Sequence, residues 1–89
     1  MNTINIGVIC KNYRIFRMQL KNLKNGLHIG QTHIYGQHSF INEDLNVKYK
    51  YYLITEKTQR FGVLYDKVEI WDIVEKLHIL LDEALLAMK

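Results

Sequence analysis

The pattern of hydrophobic and polar positions predicts three short β-strands. A run of mostly β-branched residues over Ile4–Cys10 is typical of a central strand. Residues Val47–Thr55 first alternate lysine with tyrosine and then become continuously apolar, which indicates a strand that enters the sheet from a half-exposed edge. A third and shorter strand is expected over Lys67–Trp71.

Two amphipathic helices are expected between and after these strands. The first spans residues 13–25, with Asn12 as its N-cap and Gly26 as its C-terminal stop. Its apolar positions recur at the helical repeat: Tyr13, Phe16, Leu20 and Leu23. The last helix follows Asp72 as its N-cap and closes the domain. Its wide apolar face consists of Ile73, Val74, Leu77, Leu80, Leu81, Ala84, Leu85 and Met88.

The segment between the first helix and the second strand, residues 27–46, has a weaker pattern. Glycines and the polar group Asn42–Asp44 interrupt its apolar runs, which is typical of a loop or a loose hairpin. The order β-α-insert-β-β-α favours an α/β fold with a small three-stranded, mostly parallel sheet and two helices. The alternative is an α+β fold in which Leu27–Tyr35 forms a strand antiparallel to Val47–Thr55.

Length and composition indicate one small domain in a reducing compartment. The chain has 89 residues, of which 48% are hydrophobic, so one core is expected to hold it together. The single cysteine, Cys10, has no intramolecular partner for a disulfide and is expected to be a buried thiol. No segment approaches the ~20 apolar residues that span a bilayer. We therefore expect a soluble, cytoplasmic protein.

Charge is distributed unevenly along the chain. The first acid is Glu43, whereas five bases precede it: Lys11, Arg14, Arg17, Lys21 and Lys24. The spacing places the last four on one face of the first helix. Such a ridge is expected to bind an acidic protein surface or a phosphate backbone. Lys48 and Lys50, which alternate with tyrosines, are expected to be auxiliary contacts for a nucleic acid.

Two stretches carry a resemblance to known proteins. Ile6–Tyr13, with Phe16 beyond it, resembles the start of small phage-encoded proteins of unknown function that adopt a reduced Rossmann-like or P-loop-like layout. Leu53–Thr55, Arg60–Gly62 and Tyr65–Asp72 resemble the region that leads into the Walker B strand of helicases and terminases. The resemblance implies a nucleotide-binding scaffold and a phage or similar mobile element as the source.

The turn after the first strand argues against NTP hydrolysis. Working NTPases place glycines there, followed by Gly-Lys-Ser/Thr, because backbone N–H groups cradle the phosphates and a hydroxyl holds magnesium. This chain has Cys10–Tyr13 at that point, without glycine, serine or threonine. The phosphate-binding loop of the resembled proteins is therefore absent.

No residue pattern indicates catalysis or a metal site. His28, His33 and His38 recur every five residues, a spacing that matches neither a helix face nor a strand face. Ser39 adjoins His38, but adjacent side chains point apart and no glycine-flanked turn surrounds the serine. We therefore expect neither an enzyme nor a bound cofactor.

A second candidate surface lies on the last helix. Ile79 and Leu86 are two turns apart on a face that is otherwise acidic, away from the main apolar arc. This arrangement predicts self-association, with a homodimer through the last helix as the outcome.

These observations predict an accessory protein that acts by binding. The leading hypothesis is that the basic ridge, together with residues 27–46, docks on a host or phage protein, with inhibition of that protein as one outcome. The alternative is a nucleic-acid-binding module that uses the same helix. A third hypothesis is a vestigial nucleotide-binding domain that retains a pocket at the ends of the first two strands.

Overall fold

The computed structural model describes residues 2–23, 28–29, 36–57 and 62–89. They form seven elements in the order β1 (Asn2–Ile9), α1 (Tyr13–Asn22), β2 (His28–Ile29), β3 (Gln37–Asn42), β4 (Val47–Ile54), β5 (Lys67–Ile70) and α2 (Leu77–Leu86). All three predicted strands and both predicted helices are present. β2 and β3 are additional and come from the segment that we expected to be a loop or a loose hairpin.

The described strands form one mixed sheet in the order β2-β3-β4-β1-β5. β1 pairs in parallel with β4 on one side and with β5 on the other. β3 runs antiparallel to both β4 and β2. The three strands predicted from sequence are thus the parallel half, and the expectation of a mostly parallel three-stranded sheet was incomplete. The antiparallel neighbour of β4 is β3, Gln37–Asn42. Of the range that the alternative named, Leu27–Tyr35, the structure describes only His28–Ile29, which pairs with β3.

The main core lies between α1 and one face of the sheet. It consists of Ile6, Val8, Cys10, Phe16, Leu20, Phe40, Tyr51 and Leu53. Phe16 and Leu20 are buried, while Tyr13 and Leu23 are half-buried against the same cluster, so the predicted apolar face of α1 is confirmed. The ring of Trp71 adds to this core, at 5.8 Å from the ring centroid of Phe16.

The opposite face of the sheet is covered by α2 and Tyr65. Because side chains alternate along a strand, Gly7 and Ile9 of β1 point away from the α1 core. A Cβ atom on Gly7 would lie 2.8 Å from Cδ1 of Ile54 and 3.0 Å from the ring of Tyr65, so this position needs glycine for close packing. Leu80 and Ala84 are the buried residues of α2, which contacts β1. β1 therefore lies at the centre of the molecule.

The two helix starts differ from each other. The side chain of Asn12 accepts a hydrogen bond from the N–H of Ile15 at 2.9 Å, which confirms the predicted N-cap of α1. Asp72 does not cap α2, because that helix begins five residues later and its N-cap, Lys76, makes no side-chain capping hydrogen bond. The N–H of Trp71 still donates to the carbonyl of Ile9, so the chain remains paired to β1 just before Asp72.

Candidate functional site

The basic face of α1, which we define as Arg14, Arg17 and Lys21, is exposed. Intervals of three and four residues place the three side chains within about 60° of one another around the helix axis. They lie on a flank of α1, roughly 110° around the helix axis from the buried residues Phe16 and Leu20. Of the other predicted bases, Lys11 is exposed just before the N-cap and Lys24 lies outside the described residues.

No described acid neutralises the basic face of α1. The ion pairs among the described residues join Lys67 to Glu69 at 3.2 Å and Lys89 to Asp66 at 3.0 Å. The guanidinium carbon of Arg17 lies 5.8 Å from the ring centroid of Tyr13, a distance that permits a cation–π interaction. Arg17 therefore has a preferred position along the helix and keeps its charge available to a partner.

An apolar side chain adjoins these charges. Met18 is 57% exposed on the solvent side of α1. It follows Arg14 by four residues and precedes Lys21 by three, so all three are surface neighbours. The exposed side of α1 thus combines positive charge with a flexible thioether side chain.

His38 lies on β3, beside the α1 core. Its ring centroid is 4.9 Å from that of Phe40, and its Nε2 atom is buried without a hydrogen-bond partner among the described residues. Burial lowers the pKa of His38, and the nearby charge of Arg17 lowers this pKa further. His38 is therefore neutral at physiological pH and adds no charge to the basic face. His33, the middle histidine of the predicted series, lies outside the described residues.

Lys48 and Lys50 do not join the basic face of α1. They alternate along β4 with Tyr49 and Tyr51, whose side chains pack in the α1 core. The two lysines therefore point from the opposite face of the sheet. Burial, followed by the nearby carboxylate of Glu69, raises the pKa of Tyr51 to about 12. The ring of Tyr51 packs in the α1 core, so a nucleic-acid base cannot stack on it.

The predicted self-association residues are both exposed. Ile79 is 44% exposed and Leu86 is 84% exposed, two turns apart on α2. More than half of the surface of Ile79 is therefore covered within the chain, whereas Leu86 is largely open to solvent.

Leu86→Glu is expected to lower the mass of the protein in solution from that of a dimer to that of a single chain. A buried, unpaired carboxylate at a two-fold interface is strongly unfavourable because the partner copy presents the same charge. The measurement is size-exclusion chromatography with light scattering. Leu64→Glu, at another exposed leucine, is the control and should keep the wild-type mass. A single-chain mass for the unmodified protein would remove the dimer hypothesis.

A cleft opens at the carboxyl ends of the three parallel strands. Its volume is about 690 Å³, and it is lined by residues 10–12 after β1, 55–57 after β4 and 72–75 after β5. Tyr13, Ile15 and Leu80 contribute the adjoining parts of the helices. Of the three functional hypotheses, only the third, a vestigial nucleotide-binding domain, placed a pocket at the ends of the first two predicted strands.

Comparison of the chain with protein-family models, with curated proteins and with solved structures finds no match. Among the described residues, no helix has the length and apolar character required to cross a membrane.

Proposed function

We propose that this chain is a non-enzymatic accessory protein that binds an acidic surface of a protein partner through the basic face of α1. The observation that supports the proposal is the combination of Arg14, Arg17 and Lys21 with exposed Met18 on one side of one helix. Arginine and methionine are both enriched at protein interfaces, where an apolar contact is surrounded by charge. The partner surface should therefore carry several carboxylates around an apolar depression that accepts Met18.

The same geometry favours a protein over a nucleic acid as the partner. Binding to a phosphate backbone needs charge alone and gains nothing from Met18. Stacking on bases needs accessible aromatic rings, whereas Tyr51 is buried in the α1 core. Lys48 and Lys50, the expected auxiliary contacts, project from the other face of the sheet. A nucleic-acid-binding module remains the alternative that the experiment distinguishes.

The resemblance of Ile6–Tyr13 to phage-encoded proteins supports a host or phage protein as the partner and the cytoplasm as the compartment. Covering a functional surface of that partner would inhibit it. The single helix face and the small domain suit an accessory role of this kind, in which one rigid surface docks on a larger protein.

The test is affinity capture from cell lysate with the tagged chain, before and after nuclease treatment, followed by salt titration of the captured complex. We expect a specific protein to be retained after nuclease treatment and at about 300 mM salt. A nucleic acid held by three phosphate contacts would instead lose affinity with a log–log slope of about −3. Capture that disappears with nuclease, together with a gel shift of DNA or RNA at about 50 mM salt, would favour the alternative.

A further inference from the structure

The cleft at the carboxyl ends of β1, β4 and β5 lies where the connections of neighbouring strands diverge. β1 and β5 are adjacent and parallel. The chain leaves β1 for α1 on one face of the sheet, and it leaves β5 for α2 on the other. In open sheets with helices on both faces, such a divergence opens a crevice outside the carboxyl ends of the strands, and ligands bind there. The topology thus accounts for the cleft without reference to any sequence motif.

The lining of the cleft is about half apolar and half polar. Cys10 and Leu80 are buried at its base, while Ile15 and Val74 are half-buried at its sides. Burial raises the pKa of the Cys10 thiol, so this group is neutral and behaves as part of the apolar lining. The volume of about 690 Å³ falls within the range of small-molecule sites.

Asp72 differs from the other carboxylates of the cleft. It is half-buried, whereas Glu56 and Glu75 are exposed at the rim. Among the described residues, none forms an ion pair with Asp72 or donates a hydrogen bond to its carboxylate. The carboxylate of Asp72 is therefore open to a cationic ligand.

An anionic ligand suits this cleft poorly. The side chain of Asn12 already accepts the N–H of Ile15, so the first turn of α1 has one donor fewer for a phosphate. Lys11 and Lys57 are exposed at the rim, and three carboxylates line the same cleft. A positively charged donor group is the better complement to Asp72.

We propose that this cleft binds a small amine, with one protonated amino group paired to Asp72 and an apolar body against Ile15, Val74 and Leu80. The site is separate from the basic face of α1, so it stands whether or not that face binds a protein. The charge of Asp72 selects for the amino group, and the apolar sides select for the body that carries it.

The test uses benzylamine as the probe and benzyl alcohol as its uncharged analogue, followed by amide NMR shifts of the full chain. We expect saturable shifts with benzylamine at residues 10–12, 55–57 and 72–75. Benzyl alcohol should bind at least about tenfold more weakly, a difference that corresponds to about 1.4 kcal/mol. Equal binding of the two probes, or no saturable shift with benzylamine, would overturn the proposal.

Two variants localise the amino group. Asp72→Asn should weaken benzylamine about tenfold and leave benzyl alcohol unchanged, because it removes the charge and keeps the shape. Asp82→Asn, at an exposed carboxylate of α2 outside the lining of the cleft, is the matched control and should change either affinity less than about twofold. The comparison of the two probes on the unmodified chain decides the proposal even if Asp72→Asn fails to fold.

Discussion

Phe16→Ala is expected to lower the free energy of unfolding by about 4 kcal/mol. Phe16 is fully buried, and its ring lies 6.4 Å from that of Tyr13 and 5.8 Å from that of Trp71. Alanine would leave a cavity between α1 and the sheet, at the point where the helix is attached to it. Since small domains are stable by only about 5–15 kcal/mol, a large part of the total would be lost. Urea unfolding measured by the fluorescence of Trp71, the sole tryptophan, gives this value directly.

Met18→Ala is the matched control for this prediction. It shortens a large apolar side chain on the same helix, but Met18 faces solvent. Its expected cost is below about 0.5 kcal/mol. Similar losses for the two variants would mean that α1 does not dock on the sheet through the face that contains Phe16.

The double variant Arg14→Glu with Arg17→Glu is expected to weaken binding to the captured protein partner by about a hundredfold. Each reversal replaces an attraction to an acidic surface by a repulsion, and about 1.4 kcal/mol for each charge corresponds to a tenfold change. Both side chains are exposed on α1, so the fold should be preserved. Titration calorimetry with the purified partner measures the affinity.

Lys48→Glu with Lys50→Glu provides the same change of net charge on the opposite face of the sheet. We expect its affinity for the partner to stay within about threefold of the wild-type value, as for charges outside an interface. If this control loses as much as the α1 variant, the partner responds to overall charge and the basic face is not the contact. If the α1 variant keeps its affinity, the proposed interface is wrong.

The parallel half of the sheet could be predicted from sequence because the apolar positions in its strands reflect which side chains are buried. β1 and β4 carry continuous apolar runs, whereas β5 alternates charged with apolar residues. β3 was not predicted because its first three residues, Gln37, His38 and Ser39, are polar and give no apolar strand pattern. That strand is held by backbone hydrogen bonds to β4, which any residue type can make, and Phe40 is its fully buried apolar residue.

The basic face of α1 was predictable for a different reason, since the relation between spacing and direction within a helix is local. The position of Lys48 and Lys50 relative to that face depends on which side of the sheet α1 covers. The alternation along the strand showed that these lysines point away from Tyr49 and Tyr51. It did not show whether the lysines or the tyrosines face α1. The role of Asp72 could not be predicted either, because the apolar pattern placed the start of α2 directly after this residue. The helix in fact begins at Leu77, so Asp72 lies in the connection between β5 and α2.

The central position of β1 has a consequence for synthesis on the ribosome. The N-terminal strand emerges first, yet its two neighbours follow much later, and the contact between Asn5 and Asp66 spans 61 residues. Until β4 and β5 appear, both edges of an apolar strand remain without partners, which is the situation that favours aggregation of nascent chains. The hairpin of β3 and β4 needs only local pairing and can form earlier. β5 is translated after both β1 and β4, and its pairing completes the protection of β1.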